Sequence, residues 1–271
     1  MNYLFILIFF SFTNGFIFLS PHLHRTFQLD VKRKDSKREL QLYEEREQER
    51  QKNIYLPKTL NQQTYVDYME NRNVSVVFGV GPAGSGKTLF ACSSAIQELK
   101  QGNVDRIIIT RPIISVDEEL GFLPGSIEQK MNPWTRPIFD IFSEFVSLSE
   151  IKHMVDNGVI EISPLAFMRG RTFKRCFIIA DEMQNSSPKQ MKMLLTRLGD
   201  DSRMVVTGDL KQSDRSNDNG LYDFINRFQM VESTNFNSIQ YVELNDDDIQ
   251  RSAVVSNILK IYDNKNGRVH L

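Results

Sequence analysis

Three stretches of this 271-residue chain carry side chains whose types and spacing can do chemistry. The first is Gly81-Pro82-Ala83-Gly84-Ser85-Gly86-Lys87-Thr88, which fits the pattern G-x-x-x-x-G-K-[ST] at every fixed position. Glycines at these spacings let a backbone turn tightly and approach a polyphosphate closely. Successive backbone N–H groups then form an anion nest at the start of a helix. Lys87 adds a point charge for the β- and γ-phosphates, and the Thr88 hydroxyl helps to hold Mg²⁺. Together Gly81 to Thr88 are the expected nucleotide contacts, and ATP with Mg²⁺ is the expected ligand pair.

A phosphate loop alone hydrolyses nothing. Phe177-Ile178-Ile179-Ala180-Asp181-Glu182 supplies the second part, an acidic pair at the end of an apolar run. Asp181 is placed to hold the metal, directly or through water. Glu182 is placed to orient and deprotonate an attacking water. The third stretch, Val205-Val206-Thr207-Gly208-Asp209-Leu210-Lys211-Gln212, has the same form, apolar and then polar. Asp209 and Gln212 are expected to sense the γ-phosphate or to position water. A cation is still needed for charge developing on the phosphoryl group. Arg111, Arg136, Arg169, Arg171, Arg197 and Arg251 are the candidates, and spacing alone does not choose among them.

Alternating elements must position these residues. Val74-Ser75-Val76-Val77-Phe78-Gly79-Val80 reads as a buried strand before the loop, and 89–100 as the helix after it. Further strands are read at 106–110, 159–162, 176–180, 203–207 and 239–243, and helices at 63–71, 134–145, 148–157, 188–198 and 246–262, the last with an acidic start suited to the helix dipole. The stretch 113–133 reads as loop-rich. Short, fully apolar strands alternating with helices imply a mostly parallel sheet sandwiched between helices in three layers. Ligands of such sheets gather at the carboxyl edge of the strands, where the three stretches would converge. The expected fold class is therefore α/β, and the phosphate loop makes it a P-loop NTPase.

Hydrophobic content of 41% and charged content of 25% are ordinary for a globular protein. A net charge of −1 leaves no global basic field to recruit nucleic acid, only room for a local patch. Cys92 and Cys176 lie in apolar contexts without metal-ligand spacing and read as core packing. The N-terminus is unlike the rest. Leu4-Phe5-Ile6-Leu7-Ile8-Phe9-Phe10 is too short to span a membrane and fits the apolar region of a signal peptide. The stretch after Gly15 has no acidic residue before Asp30, as in a transit peptide. Residues 1–29 are therefore expected to be a targeting leader, 30–54 a charged linker and 55–271 the catalytic domain, with no stable membrane insertion of the mature protein. A signal followed by a transit-like stretch resembles the leader of proteins sent into a plastid of secondary origin. A cytoplasmic location is the alternative.

From about Leu56 to Tyr262 the chain resembles the PhoH family of P-loop ATPases, itself similar to the first motor domain of superfamily 1 helicases. The resemblance rests on Phe78 to Thr88, Thr110-Arg111-Pro112, Leu120-Gly121-Phe122-Leu123-Pro124-Gly125, Pro164-Leu165-Ala166-Phe167-Met168-Arg169-Gly170-Arg171-Thr172, Asp181-Glu182-Met183-Gln184-Asn185 and Val205 to Gln212. It implies a RecA-like form of the α/β fold and further roles. Gln62 falls where such helicases place an adenine-reading glutamine, and Gln212 falls on their γ-phosphate-sensing glutamine. Arg111 and Arg169 to Arg171 fall in segments that face the nucleotide or a nucleic-acid strand. Arg251 matches an arginine that acts in trans in a ring. Single-stranded RNA is the partner considered. The chain has room for one motor domain, so unwinding would need a homo-oligomer, a ring such as a hexamer. The rival readings are an ATP-switched nucleic-acid-binding module without turnover and a small-molecule kinase, which gives no reason for Glu182 and Gln212.

Overall fold

The computed structural model describes residues 56–112, 127–214, 218–231 and 236–250, with 254, 255 and 258. The leader, the charged linker, the Gly-Phe-Leu-Pro-Gly stretch at 121–125 and Arg251 lie outside the described residues. Six strands, β1 (Val76–Val80), β2 (Arg106–Thr110), β3 (Ile160–Ile162), β4 (Cys176–Ala180), β5 (Arg203–Gly208) and β6 (Ile239–Glu243), form one sheet. Its order is β3-β2-β4-β5-β1-β6, and every neighbouring pair is parallel. The helices are α1 (Leu60–Glu70), α2 (Lys87–Lys100), α3 (Ile127–Ser143), α4 (Leu148–Asp156), α5 (Pro188–Leu195) and α6 (Gly220–Met230).

The composition of the strands explains the layering. Every residue of β1 and of β4 is buried, so neither strand has a solvent face. Val77, Ile107, Ile109, Phe177, Ile179 and Val205 pack on one side with Tyr65 of α1, Phe90 and Ile96 of α2, Phe142 of α3 and Ile151 of α4. Phe78, Ile108, Ile178, Met204 and Val206 pack on the other with Met191 and Leu194 of α5 and Leu221 and Ile225 of α6. This is the three-layer, RecA-like arrangement expected. The chain runs from β1 out to β2 and β3, then returns through β4 and β5 to β1. β5 therefore stands between the strand that carries the phosphate loop and the strand that carries the acidic pair.

Besides shifts of up to three residues at the ends of α1 and α5, three elements differ from the sequence reading. Helix α3 begins at Ile127, seven residues before the expected start, and passes through Pro133 and Pro137. Proline has a helical φ and removes one hydrogen bond, and here it does not end the helix. Helix α6 was not foreseen, although Leu221 with Ile225 and Phe224 with Phe228 lie four residues apart and Asn219 caps its N-terminus through Tyr222 N–H at 3.0 Å. Its Phe224 ring stacks on Phe78 of β1 at 4.6 Å between centroids. The helix read over 246–262 does not begin at 246: Asp246–Asp248 form a 3₁₀ turn, after which Ile249 is extended. Asn245 and Asp248 bond each other's backbone N–H groups there, and short polar side chains that do so compete with helix propagation. Residues 254, 255 and 258 are helical again. No described helix is long and apolar enough to cross a membrane.

Ile178 sits at mid-sheet with no exposed surface. Ile178→Ala is expected to destabilise the domain by about 2–5 kcal/mol in urea unfolding. A loss below about 1 kcal/mol would contradict close packing on that face.

Candidate active site

The phosphate loop begins where β1 ends. Gly81 N–H donates to Gly208 O at 3.1 Å, and Leu244 N–H donates to Val80 O at 2.7 Å, so the strands on either side of β1 hold the start of the loop. A Cβ on Gly81 would lie 2.2 Å from the Leu244 carbonyl oxygen, which leaves only glycine room to pass. Ser85 is buried and its hydroxyl donates to Pro82 O at 2.8 Å. Gly86, at φ 91°, is the N-cap of α2 and brings no side chain to bond the first turn. The first N–H groups of α2 are thereby left for an anion. Lys87 Nζ donates to the carbonyls of Gly81 at 2.8 Å and Pro82 at 2.7 Å, spanning the loop. Burial lowers the Lys87 pKa, and the carboxylates of Asp209, Glu182 and Asp181 oppose that shift.

The acidic pair follows β4. Register pairs Ala180 with Thr110 on one side and Val206 on the other. The next residues, Asp181 and Thr207, then stand side by side. Asp181 Oδ1 accepts from Thr207 Oγ1 at 2.5 Å and from Thr88 Oγ1 at 2.9 Å. Asp181 N–H is itself bonded to Thr110 O at 3.0 Å. Residues far apart in the chain thus share one carboxylate oxygen. The Thr88 hydroxyl and the Asp181 carboxylate are hard oxygen donors close together, which fits Mg²⁺, a cation that takes few protein ligands and keeps the rest for phosphate and water. Glu182 comes next in a left-handed backbone conformation, φ 54° and ψ 38°. This is an uncommon state for a residue with a Cβ, and such states cluster at functional sites.

Asp209 is buried, and its Oδ1 accepts from Lys211 N–H at 2.9 Å, capping the turn Leu210–Gln212. It contributes charge beside Lys87. Gln212 lies at the exposed end of that turn, its N–H bonded to Asp209 O at 3.0 Å.

Gln62 is buried beneath the loop. Its Nε2 donates to Ser85 O at 3.1 Å and to Asp248 O at 2.9 Å, and its Oε1 accepts from Lys58 N–H at 2.8 Å. Reading adenine through this amide would require exchanging those bonds. Asp248, missed by sequence reasoning as an organiser, anchors the same region. Its carboxylate accepts from the Thr59 hydroxyl, from Asn61 Nδ2 at 3.0 Å and from Asn245 N–H at 2.6 Å. Burial pushes its pKa up, but these hydrogen bonds outweigh burial and hold it below the usual carboxylate range. Gln250 N–H completes the contact by donating to Gly84 O at 3.0 Å. The available signals were local ones, Thr59 three residues before Gln62 and Asn245 three before Asp248.

The arginines divide. Arg171 is committed to Glu161 through both guanidinium nitrogens and lies 4.5 Å from the Phe173 ring centroid. Its guanidinium lowers the Glu161 pKa against the effect of burial. Arg197 donates to the carbonyls of Met193 and Arg171, each at 3.1 Å. Both are structural in this arrangement. Arg136 and Arg169 are exposed, Arg111 is half-buried after β2, and Arg251 lies outside the described residues.

Residues 54–263 match the family described as PhoH-like protein. The PhoH-like protein of Bacillus subtilis is 40% identical over 211 residues, covering 77% of this chain and 64% of its own length. Protein PhoH of Escherichia coli is 39% identical over 202 residues, covering 73% of this chain and 55% of its own. The chain thus spans less than two thirds of these curated relatives. Among solved structures, the Pif1 helicase from Candida albicans aligns with 78% of this chain and 44% of its own at 16% identity, with a TM-score of 0.38. That likeness is too distant to add to the fold read from the sheet itself.

Removing the Asp248 carboxylate should loosen the loop's support. Asp248→Asn is expected to cost about 1–3 kcal/mol at neutral pH, measured by denaturant unfolding. Because the folded pKa is depressed, the stabilisation is present above the ordinary carboxylate range and is lost as pH falls through the folded value. The difference between wild type and variant should therefore shrink below about pH 4. Equal stabilities at pH 7 would contradict the role.

Proposed function

Because the chain belongs to the PhoH-like protein family, we propose that it is a Mg²⁺-dependent ATPase that couples hydrolysis to RNA binding or remodelling. The observation that carries the reading is the Asp181 carboxylate shared by Thr88 and Thr207, with Glu182 next in the chain. It joins a phosphate-binding element to an acidic one at a single strand edge. In the proposed reaction the loop N–H groups and Lys87 take the β- and γ-phosphates, Lys87 exchanging the Gly81 and Pro82 carbonyls for phosphate oxygens. Thr88 and Asp181 would hold Mg²⁺, which when bound would offset phosphate charge and polarise the γ-phosphoryl group. Glu182 accepts a proton from the water that attacks the γ-phosphorus, the bond to the ADP oxygen breaks, and ADP and phosphate leave. Gln212, on the turn after β5, reports the γ-phosphate state to the surface. Single-stranded RNA is the proposed partner, and the exposed Arg169 and half-buried Arg111 offer it local positive charge despite the chain's net charge of −1. A ring of copies, with Arg251 supplied by a neighbour, is the proposed assembly. The leader's plastid destination is likewise a proposal, supported by its composition.

Phosphate release with and without single-stranded RNA tests the reading. Lys87→Ala and Glu182→Gln should each lower turnover about 10²- to 10⁴-fold, and RNA stimulation should vanish in Lys87→Ala. Undiminished release by Glu182→Gln would remove Glu182 as the base, whereas ATP binding by the wild type without phosphate release would favour an ATP-operated switch. A strictly monomeric species at full ATPase activity in light scattering would remove the ring.

A further inference from the structure

We propose that Gln184 is a positioning residue for hydrolysis: its side-chain amide aims the Glu182 carboxylate and ties that aim to the backbone at Asp209. The inference rests on the reading of Glu182 as the base that activates water. Gln184 is buried in the 3₁₀ turn Met183–Asn185 that directly follows the left-handed Glu182. Its Nε2 donates to Glu182 Oε2 at 2.5 Å, and its Oε1 accepts from Asp209 N–H at 3.1 Å. A carboxylate on one side and an N–H on the other leave only one orientation of the amide that satisfies both.

The surroundings are built to keep this amide in place. A Cβ on Gly208 would come within 2.8 Å of Gln184 Oε1 and 2.5 Å of Leu221 Cδ2, so the bare glycine makes room for the bridge. The backbone of the same turn is fastened to the segment after β5. Ser213 Oγ donates to Gln184 O at 3.0 Å, and Asp214 N–H donates to Asn185 Oδ1 at 3.1 Å. A carboxylate whose own backbone sits in a sparsely populated state needs such external bonds to hold one direction. Movement of the turn Leu210–Gln212 relative to β4 would pull on the Asp209 end of the bridge and turn Glu182 with it. Gln184 thereby places the γ-phosphate-facing turn and the base under one control.

The test uses the full chain with Gln184→Met, which removes both hydrogen bonds at similar volume, and Gln184→Glu, which keeps the acceptor for Asp209 and places an oxygen against Glu182. Both variants should lower kcat for phosphate release roughly 10- to 100-fold. The Kd for ATP, read by calorimetric titration, should stay within about 2-fold of wild type. A purely packing role would instead lower stability and disturb nucleotide binding along with turnover. In a Glu182→Gln background, Gln184→Met should cause no further loss, because the group it aims is gone. A kcat for Gln184→Met within about 2-fold of wild type, with Glu182→Gln inactive, overturns this proposal alone. The same loss in both backgrounds also overturns it. Full turnover by Glu182→Gln overturns the base reading and this proposal with it. If Gln184→Met does not fold, Gln184→Glu carries the same comparisons.

Discussion

One carboxylate oxygen, Asp181 Oδ1, is the point on which the rest of this domain converges. It accepts hydrogen bonds from Thr88 at the start of α2 and Thr207 near the end of β5. Those three residues meet only if β4, β5 and β1 stand in that order with one register. Burial of both sheet faces enforces it. A slip of one residue in β4 would turn Ile178 and Ala180 to the opposite side of the sheet and carry Asp181 away from Thr207. The apolar strands thus fix the position of a polar group that none of them contains. Hydrogen bonds to a carboxylate at such a place are worth more than they would be in water, because the flanking Thr110, Ala180 and Thr207 are buried.

Much of this was legible because parallel, doubly buried strands are written as uninterrupted apolar runs. Cys176 to Ala180 has no polar residue to confuse its reading, and the polar pair immediately after it marks the strand's end. The glycine, lysine and threonine positions of the loop are dictated by phosphate chemistry and survive without context. What was not legible depends on partners distant in the chain. Asp248 reads as an acidic helix start, and only its proximity to Thr59 and Asn61 turns it into an anchor. Arg171 reads as a cation near the nucleotide or a nucleic-acid strand, but Glu161, ten residues earlier on the neighbouring β3, claims both ends of its guanidinium. Helix α6 was hidden by the polar stretch ahead of it, although its buried pair Leu221 and Ile225 has helical spacing.

The phosphate loop is supported from behind by elements at both ends of the described domain. Tyr65 of α1 fills the space beside Gly79, where a Cβ would meet its ring at 2.6 Å, and its hydroxyl donates to Lys87 O at 3.3 Å. Leu244 and Gln250 brace the loop from the turn after β6, and Gln62 joins the two supports through Ser85 and Asp248. The order of the loop is therefore not local to its eight residues. It is borrowed from contacts that close only when α1 and the last strand are both docked.

The backbone of Glu182 sets a conflict between folding and chemistry at one position. A left-handed conformation costs a side-chain-bearing residue roughly 1–2 kcal/mol, and glycine escapes that cost. The residue that would make the turn after β4 most comfortable is thus one that has no carboxylate to offer. The turn after β4 therefore holds backbone strain at the one position where a glycine would relieve it and remove the carboxylate beside Asp181.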